Sequence, residues 1–203
     1  MTIIGFIGNK GAGKDTIADY LVDNYNFVKY NFANPIKEIS EILFDLNYNQ
    51  LNIDKEQIDS RWNLSPRTIF QRLGTEFGQH MIYELFPELN DKVKKKHFWL
   101  KHFQIFLEKN KNKNIVIADI RFLHEIDFLV TNNNNNNNNN DINKCILIKI
   151  VNTKNNIDID RHISENEISK IDLKHIDFII NNNSSKEELY SKFNNLINNN
   201  LIN

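Results

Sequence analysis

The segment Gly8-Asn9-Lys10-Gly11-Ala12-Gly13-Lys14 restricts the possible folds more than any other part of the chain. It fits G-x-x-x-x-G-K and follows the apolar run Thr2 to Ile7. A short unbroken apolar run ending in glycine is typical of a buried parallel strand. After the loop, Ile17, Leu21 and Tyr25 recur at helical spacing. Strand, glycine loop and helix in this order make a phosphate-binding turn. Its glycines let the backbone curve inward without a Cβ clash. Successive N–H groups then aim at phosphate oxygens, and the helix N-terminus adds its partial positive charge. Gly8, Lys10, Gly11, Ala12, Gly13, Lys14, Asp15 and Thr16 are therefore the candidate donor-nucleotide residues, with Lys14 placed to bridge the β- and γ-phosphates of ATP.

The loop departs from the usual pattern at one position. Asp15, not Ser or Thr, follows Lys14, and Thr16 comes next. A carboxylate thus stands where a hydroxyl normally holds magnesium. Asp15 either ligates the ion, directly or through water, or is simply an acid favoured at a helix N-terminus.

The rest of the chain alternates strands and helices. Phe27 to Phe32 reads as a strand, and Pro35 opens a helix through Ile36, Ile39, Leu43 and Leu46. Residues 47–64 are polar and poorly periodic, an insertion or a mobile lobe. Ser65-Pro66 pairs an N-cap with a first-turn proline, so a helix should run to about Leu85, with a second from Lys92 to Lys109. Further strands are expected at Ile115 to Asp119, Cys145 to Val151 and Ile176 to Ile180, with helices from Leu123 to Val130 and from Ser185 to Ile197. The pattern predicts an α/β fold, a three-layer parallel sheet with helices on both faces, in a single domain over 1–203. The asparagine run Asn132 to Asn140 has no apolar face and reads as a disordered surface loop within 131–143.

Composition removes several classes of function. Lys and Arg total 25 against 26 Asp and Glu, without the basic excess of a general nucleic-acid binder. No apolar run approaches the about 18 residues of a membrane span, and the first residues carry no signal pattern. Cys145 is the only cysteine, so no intrachain disulfide or thiolate zinc cluster can form. A cytoplasmic protein is the expectation. No N-K-x-D occurs, which argues against a GTPase, and a short phosphate-loop chain points to a small-molecule kinase.

Three more segments narrow this: Phe32-Ala33-Asn34-Pro35-Ile36-Lys37-Glu38; Ser65-Pro66-Arg67-Thr68-Ile69-Phe70-Gln71-Arg72-Leu73-Gly74-Thr75-Glu76; and Ile117-Ala118-Asp119-Ile120-Arg121-Phe122-Leu123-His124-Glu125. With the Gly-Lys-Asp-Thr end of the loop, and with His162-Ile163-Ser164-Glu165 and Asp177 to Asn182, they resemble the phage-type deoxynucleoside monophosphate kinases. The resemblance reaches from the N-terminus to about Phe193, leaving out 47–64 and 131–143. It implies a P-loop kinase with a helical substrate-binding region over 35–110 and a lid-like segment over 155–174. It also implies transfer from Mg-ATP to a dNMP, and a homodimer.

The chemistry of the residues agrees. An acceptor phosphate with a second pKa near ~6 is already largely ionised at neutral pH and needs no strong base. The reaction needs cations to cancel charge and align two anions. Lys14, Lys37, Arg67, Arg121 and Arg161 can supply them, whereas Arg72 reads as a surface charge. Arg67, Gln71, Gly74 and Gly78 stand at i, i+4, i+7 and i+11, one face of a regular helix. That face is either a substrate platform, with Thr75 adjoining, or a helix packed tightly at its glycines.

Asp119 ends a strand, where it can hold magnesium through water or orient Arg121, or cap the next helix. Glu125 either ties down Arg121 or caps that helix. Arg161 is a candidate to close over the transferring group, His162 a structural hydrogen-bonder. Asn182 stands in the turn expected to pass the adenine. Gln79 replaces an arginine that relatives often carry. Trp62, Tyr83 and Trp99 are either core or base-stacking residues. Two rival readings are a dephospho-coenzyme A kinase-like enzyme and a non-catalytic nucleotide-binding module.

Overall fold

The structure is a computed structural model that describes residues 1–134, 144–153, 171 and 173–200. Its contacts divide into two compact units, Met1–Asn31 with Asn110–Asn203, and Phe32–Lys109.

The first unit is built on five parallel strands: β1 (Thr2–Ile7), β2 (Phe27–Tyr30), β3 (Asn114–Ile120), β4 (Lys144–Val151) and β5 (Phe178–Asn181). Their order in the sheet is β2-β3-β1-β4-β5. Helices α1 (Lys14–Tyr25), α7 (Leu123–Asn134) and α8 (Lys186–Asn200) cover it. Alternate strand residues Ile4, Phe6, Val116, Ala118, Ile146, Ile148 and Ile180 form one cluster with Ile17 and Leu21 of α1 and Leu189, Phe193 and Ile197 of α8. Ile3, Ile7, Ile115 and Ile117, the residues in between, are fully buried too, and α7 packs along β4. Burial on both faces explains why these strands read as unbroken apolar runs. A fully buried side chain such as Phe193 contributes about 1.5–3 kcal/mol.

The β1–β3 ladder contains an irregularity. Gly5 pairs with Ile117 but Ile7 with Ile120, so β3 carries one extra residue at Ala118–Asp119. A bulge reverses the in–out alternation beyond it. It turns Ile120 to the face where a Cβ on Gly5 would meet Ile120 and Leu147, so glycine at position 5 makes the room.

The second unit is helical: α2 (Ala33–Phe44), α3 (Tyr48–Asn52), α4 (Pro66–Gln71), α5 (Ile82–Leu85) and α6 (Phe98–Lys109). Ser65 caps α4 by accepting from the Thr68 N–H at 3.2 Å, with Pro66 in the first turn. From α4 the chain passes without a break through a π-helical stretch, Arg72–Met81, into α5. The predicted helix to Leu85 is present, but its middle is not α-helical.

Other boundaries differ from the sequence reading. The helix expected from Lys92 begins at Phe98, because Lys96 takes a left-handed φ of 69° and interrupts it. The strand expected to Phe32 ends at Tyr30, and α7 extends to Asn134, into the asparagine run. The rest of that run lies outside the described residues.

Residues 47–64 are tied down by their own polar groups. Asn47 and Gln50 form a reciprocal capping box that starts α3. The Asp59 carboxylate accepts from Gln50 Nε2 at 2.7 Å and from Arg61 Nη2 at 2.7 Å, and Arg61 also reaches Asp45 at 3.0 Å. The Arg61 hydrogen bonds hold the Asp59 carboxyl well below the usual carboxylate range. Trp62 sets its ring edge-on to Phe44 and donates to the Phe44 carbonyl at 2.8 Å. Trp99 and Tyr83 are core residues, 7% and 5% exposed.

Candidate active site

In the sheet order, the connection leaving β1 leads towards β2 and the one leaving β3 leads to the opposite side, towards β4. The carboxyl ends of β1 and β3 therefore flank a topological switch point, where open α/β sheets bind ligands. The glycine loop leaves β1 there, and Asp119 and Arg121 stand at the end of β3, next to the Ile7–Ile120 pair.

The loop has the shape its sequence implies. Gly8, Gly11 and Gly13 take φ of 153°, 75° and 105°. Gly13 is the N-cap of α1, and no side chain caps that helix end. Lys14 Nζ donates to the Gly8 and Asn9 carbonyls at 2.6 and 2.8 Å, which holds the ammonium over the loop. Ala12 is buried, while Lys10 and Gly11 are exposed.

Asn182, expected at the adenine, also staples the loop. Its Nδ2 donates to the Ala12 carbonyl at 2.8 Å and would lie 2.6 Å from a Cβ on Gly13. Its own N–H donates to Val151 at 2.7 Å, at the end of β4.

The Asp15 carboxylate is exposed and accepts from Lys29 Nζ at 2.9 Å; the same ammonium reaches Asp19 at 2.8 Å. Burial alone would lower the Lys29 pKa, but the bonds from Asp19 and Asp15 outweigh it and hold it above the usual value. Thr16 is partly buried behind Asp15. Sequence reasoning missed Lys29, since nothing in a strand pattern shows which helix its side chain will meet.

Asp119 and Arg121 are partly buried, and Glu125 is 4% exposed. Glu125 Oε2 accepts from the Arg121 N–H at 2.8 Å and from the Phe122 N–H at 3.0 Å. Both sequence readings of Glu125 therefore hold in one group, through the backbone. Burial pushes its carboxyl up to about 8, Asp119 adds to the rise, and the two backbone bonds and Arg121 oppose it.

In the helical unit, Lys37 Nζ donates to Asn52 Oδ1 at 2.8 Å. Arg67 Nε donates to Glu56 Oε1 at 3.0 Å, and the Arg67 N–H donates to the Lys55 carbonyl at 2.8 Å. Both candidate acceptor cations are thus held by the 47–64 segment, a role its sequence did not suggest. Arg67 and Gln71 lie one α-turn apart on α4, and Gln71 is partly buried.

Beyond Gln71 the i→i+5 bonding of the π stretch changes the spacing, so the regular-helix face does not extend to Gly74 and Gly78. Packing accounts for those glycines. A Cβ on Gly74 would meet Ile36 at 2.9 Å, one on Gly78 would overlap the Trp99 indole, and Trp99 Nε1 donates to the Gly74 carbonyl at 2.8 Å. Thr75 and Gln79 are buried, each 5% exposed. Arg161, His162, Ser164, Glu165 and most of the lid-like segment lie outside the described residues.

The donor set suits magnesium. Asp119 and Asp15 offer carboxylate oxygens, and a nucleotide-bound magnesium takes only one or two protein carboxylates. Among the described residues, no three His, Cys, Asp or Glu side chains gather as a metal cluster, and no helix is long and apolar enough to cross a membrane.

A parallel sheet with a lysine-tipped glycine loop at its switch point defines a P-loop α/β kinase fold. The family model described as deoxynucleotide monophosphate kinase matches residues 2–63 and 40–193. A protein of Acanthamoeba polyphaga mimivirus named "Putative deoxynucleotide monophosphate kinase" is 34% identical over 196 residues, 95% of this chain and 94% of its own. The deoxynucleotide monophosphate kinase of Enterobacteria phage T4 is 50% identical over 38 residues, 19% of this chain and 16% of its own. Among solved structures, a dephospho-CoA kinase from Campylobacter jejuni aligns over 99% of this chain and 100% of its own, at 15% identity and a TM-score of 0.46. The chain belongs to the deoxynucleotide monophosphate kinase family.

Proposed function

We propose that the protein transfers the γ-phosphoryl group of ATP to the 5′-phosphate of a deoxynucleoside monophosphate, yielding the diphosphate and ADP. The supporting observation is that the Lys14 loop and the Asp119–Arg121 turn leave adjacent strands at one end of the sheet. Loop N–H groups and the Lys14 ammonium take the donor phosphates. Arg121 balances charge as it spreads over the equatorial oxygens in transfer. Lys37 and Arg67 hold the acceptor phosphate, and Gln71, one α-turn from Arg67, reads the base side. The acceptor oxygen attacks as an anion, so no side chain need remove a proton from it.

Asp119, with Asp15 as second candidate, would hold magnesium. When bound, the ion neutralises the β- and γ-phosphate oxygens. For Asp15 to join, its carboxylate must exchange or share the Lys29 contact. Arg121 and Lys14 carry permanent positive charge, and such charges stabilise the transfer most when they are aimed at it beforehand.

A coupled assay of ADP release tests this, run with ATP and magnesium across the dNMPs, the NMPs and dephospho-coenzyme A. Turnover with at least one dNMP is expected. Turnover with dephospho-coenzyme A alone, or nucleotide binding without transfer to any acceptor, overturns the reading.

A further inference from the structure

The turn that carries Arg121 is held in an unusual way. Behind it, the bulge at Ala118–Asp119 breaks the regular β1–β3 register, and Ile120 is the last β3 residue paired with β1. Ahead of it, α7 begins at Leu123. In between, the N–H groups of Arg121 and Phe122 both donate to one oxygen, Glu125 Oε2, at 2.8 and 3.0 Å.

A glutamate at the third position of a helix commonly reaches back to the N-cap N–H. Such residues usually sit at the surface. Glu125 does not, being 4% exposed with Ile126 fully buried beside it. A carboxyl group is costly to bury, and burial is tolerated where its hydrogen bonds are irreplaceable. Here the bonds set the backbone path on which Arg121 leaves the sheet.

We propose that Glu125 is a positioning residue for phosphoryl transfer: its buried carboxyl clamps the Arg121 and Phe122 amides, so the Arg121 guanidinium starts from one fixed backbone conformation at the switch point. This rests on the reading of Arg121 as a phosphate-handling residue. Glu125 itself touches no substrate in this account. A neutral acceptor of the same shape meets the need, because the clamp uses one oxygen that accepts twice.

The test compares Glu125→Gln, Glu125→Ala, Arg121→Ala and the Glu125→Ala/Arg121→Ala pair. Glu125→Gln keeps an accepting oxygen and should stay within about threefold of wild-type kcat. Glu125→Ala should lower kcat by about 10- to 100-fold while the KM for ATP moves little, as expected for a misplaced charge rather than a lost binding contact. The paired variant should be no slower than Arg121→Ala alone, since Glu125 acts through Arg121. Losses that multiply in the paired variant, or a Glu125→Gln enzyme as slow as Glu125→Ala, overturn the proposal.

Amide hydrogen exchange provides a readout independent of turnover. The Arg121 and Phe122 amides should be protected in wild type and Glu125→Gln but exchange at least about tenfold faster in Glu125→Ala. Unchanged protection in Glu125→Ala refutes the clamp whatever the substrate. A wild-type enzyme that phosphorylates no dNMP, with the exchange pattern as expected, refutes the functional reading and leaves the clamp standing.

Discussion

In the sheet unit, residues from four strands and two helices close into one large buried cluster, Ile4, Phe6, Val116, Ile148 and Phe193 among them. In the helical unit Leu46 clusters with Leu51 and Ile69, and Ile82 with Tyr83 and Val93, while α6 buries Leu100, Phe103 and Leu107. Most of the large apolar side chains left exposed among the described residues also belong to the helical unit, including Ile42, Leu43, Tyr48, Ile53 and Ile58. The candidate cations follow the same division. Lys14 and Arg121 are placed by strand ends, whereas the Lys37 and Arg67 side chains bond to Asn52 and Glu56 of the 47–64 segment. A region with fewer buried contacts opens at lower free energy. The candidate donor residues thus stand at the ends of strands buried on both faces, and the candidate acceptor residues among helices that leave more apolar surface exposed.

The widest gap should appear at the donor loop. Lys14→Ala should lower phosphoryl transfer by about 10²–10³-fold or more, with thermal unfolding nearly unchanged, since its ammonium bonds to the Gly8 and Asn9 carbonyls of its own loop. Wild-type turnover in that variant would remove the loop from the mechanism. Next comes Arg67→Ala, which should raise the KM for dNMP by about 10- to 100-fold and leave ATP binding intact. A change in ATP affinity instead would break the division into donor and acceptor residues.

Gly78→Ala sharpens the stability side of the comparison. The added Cβ overlaps the Trp99 indole, so the helical unit should lose about 1–3 kcal/mol in denaturant unfolding. Hydrogen exchange should quicken in Phe32–Lys109 and not in β1 or β3; a uniform loss across both regions would mean they unfold as one.

A smaller effect concerns pH. The Glu125 carboxyl is raised from 4.5 to about 8 by burial, with Asp119 raising it further and Arg121 opposing. The folded state then binds this proton more tightly than the unfolded chain does. Its stabilisation is complete below about 4.5 and is lost as pH rises through 8. Melting temperature should thus fall between pH 6 and 9 in wild type and fall less in Glu125→Gln; equal slopes would contradict the buried acid. The smallest effect is expected on deleting Asn135 to Asn140, with kcat within about twofold of wild type, because the run offers no apolar side chain to a core. A collapse in rate would give that segment a part in the site.

Legibility differed between the two regions for a physical reason. Phosphate-loop chemistry is written in consecutive residues. Gly8 to Lys14 must follow a strand and precede a helix, so one short segment announces the turn, its fold and its ligand class together. Buried parallel strands likewise show as apolar runs. The capping box at Asn47 and Gln50 is also a local spacing, set inside a polar stretch with no apolar period to mark a helix.

The face expected for Arg67, Gln71, Gly74 and Gly78 assumed regular helical spacing, and the π stretch from Arg72 invalidates that assumption after Gln71. No local signal gives the partners Lys29–Asp15, Asn52–Lys37 or Glu56–Arg67.

From its residues alone this chain specifies a parallel α/β kinase fold and a lysine-tipped phosphate loop, because both depend on neighbours in sequence. The bulge that turns Asp119 and Ile120, the burial of Glu125 under the Arg121 turn, and the seating of Trp99 on Gly74 and Gly78 arise only when distant segments pack. Register, burial and collision are properties of space between elements, and no run of letters contains them.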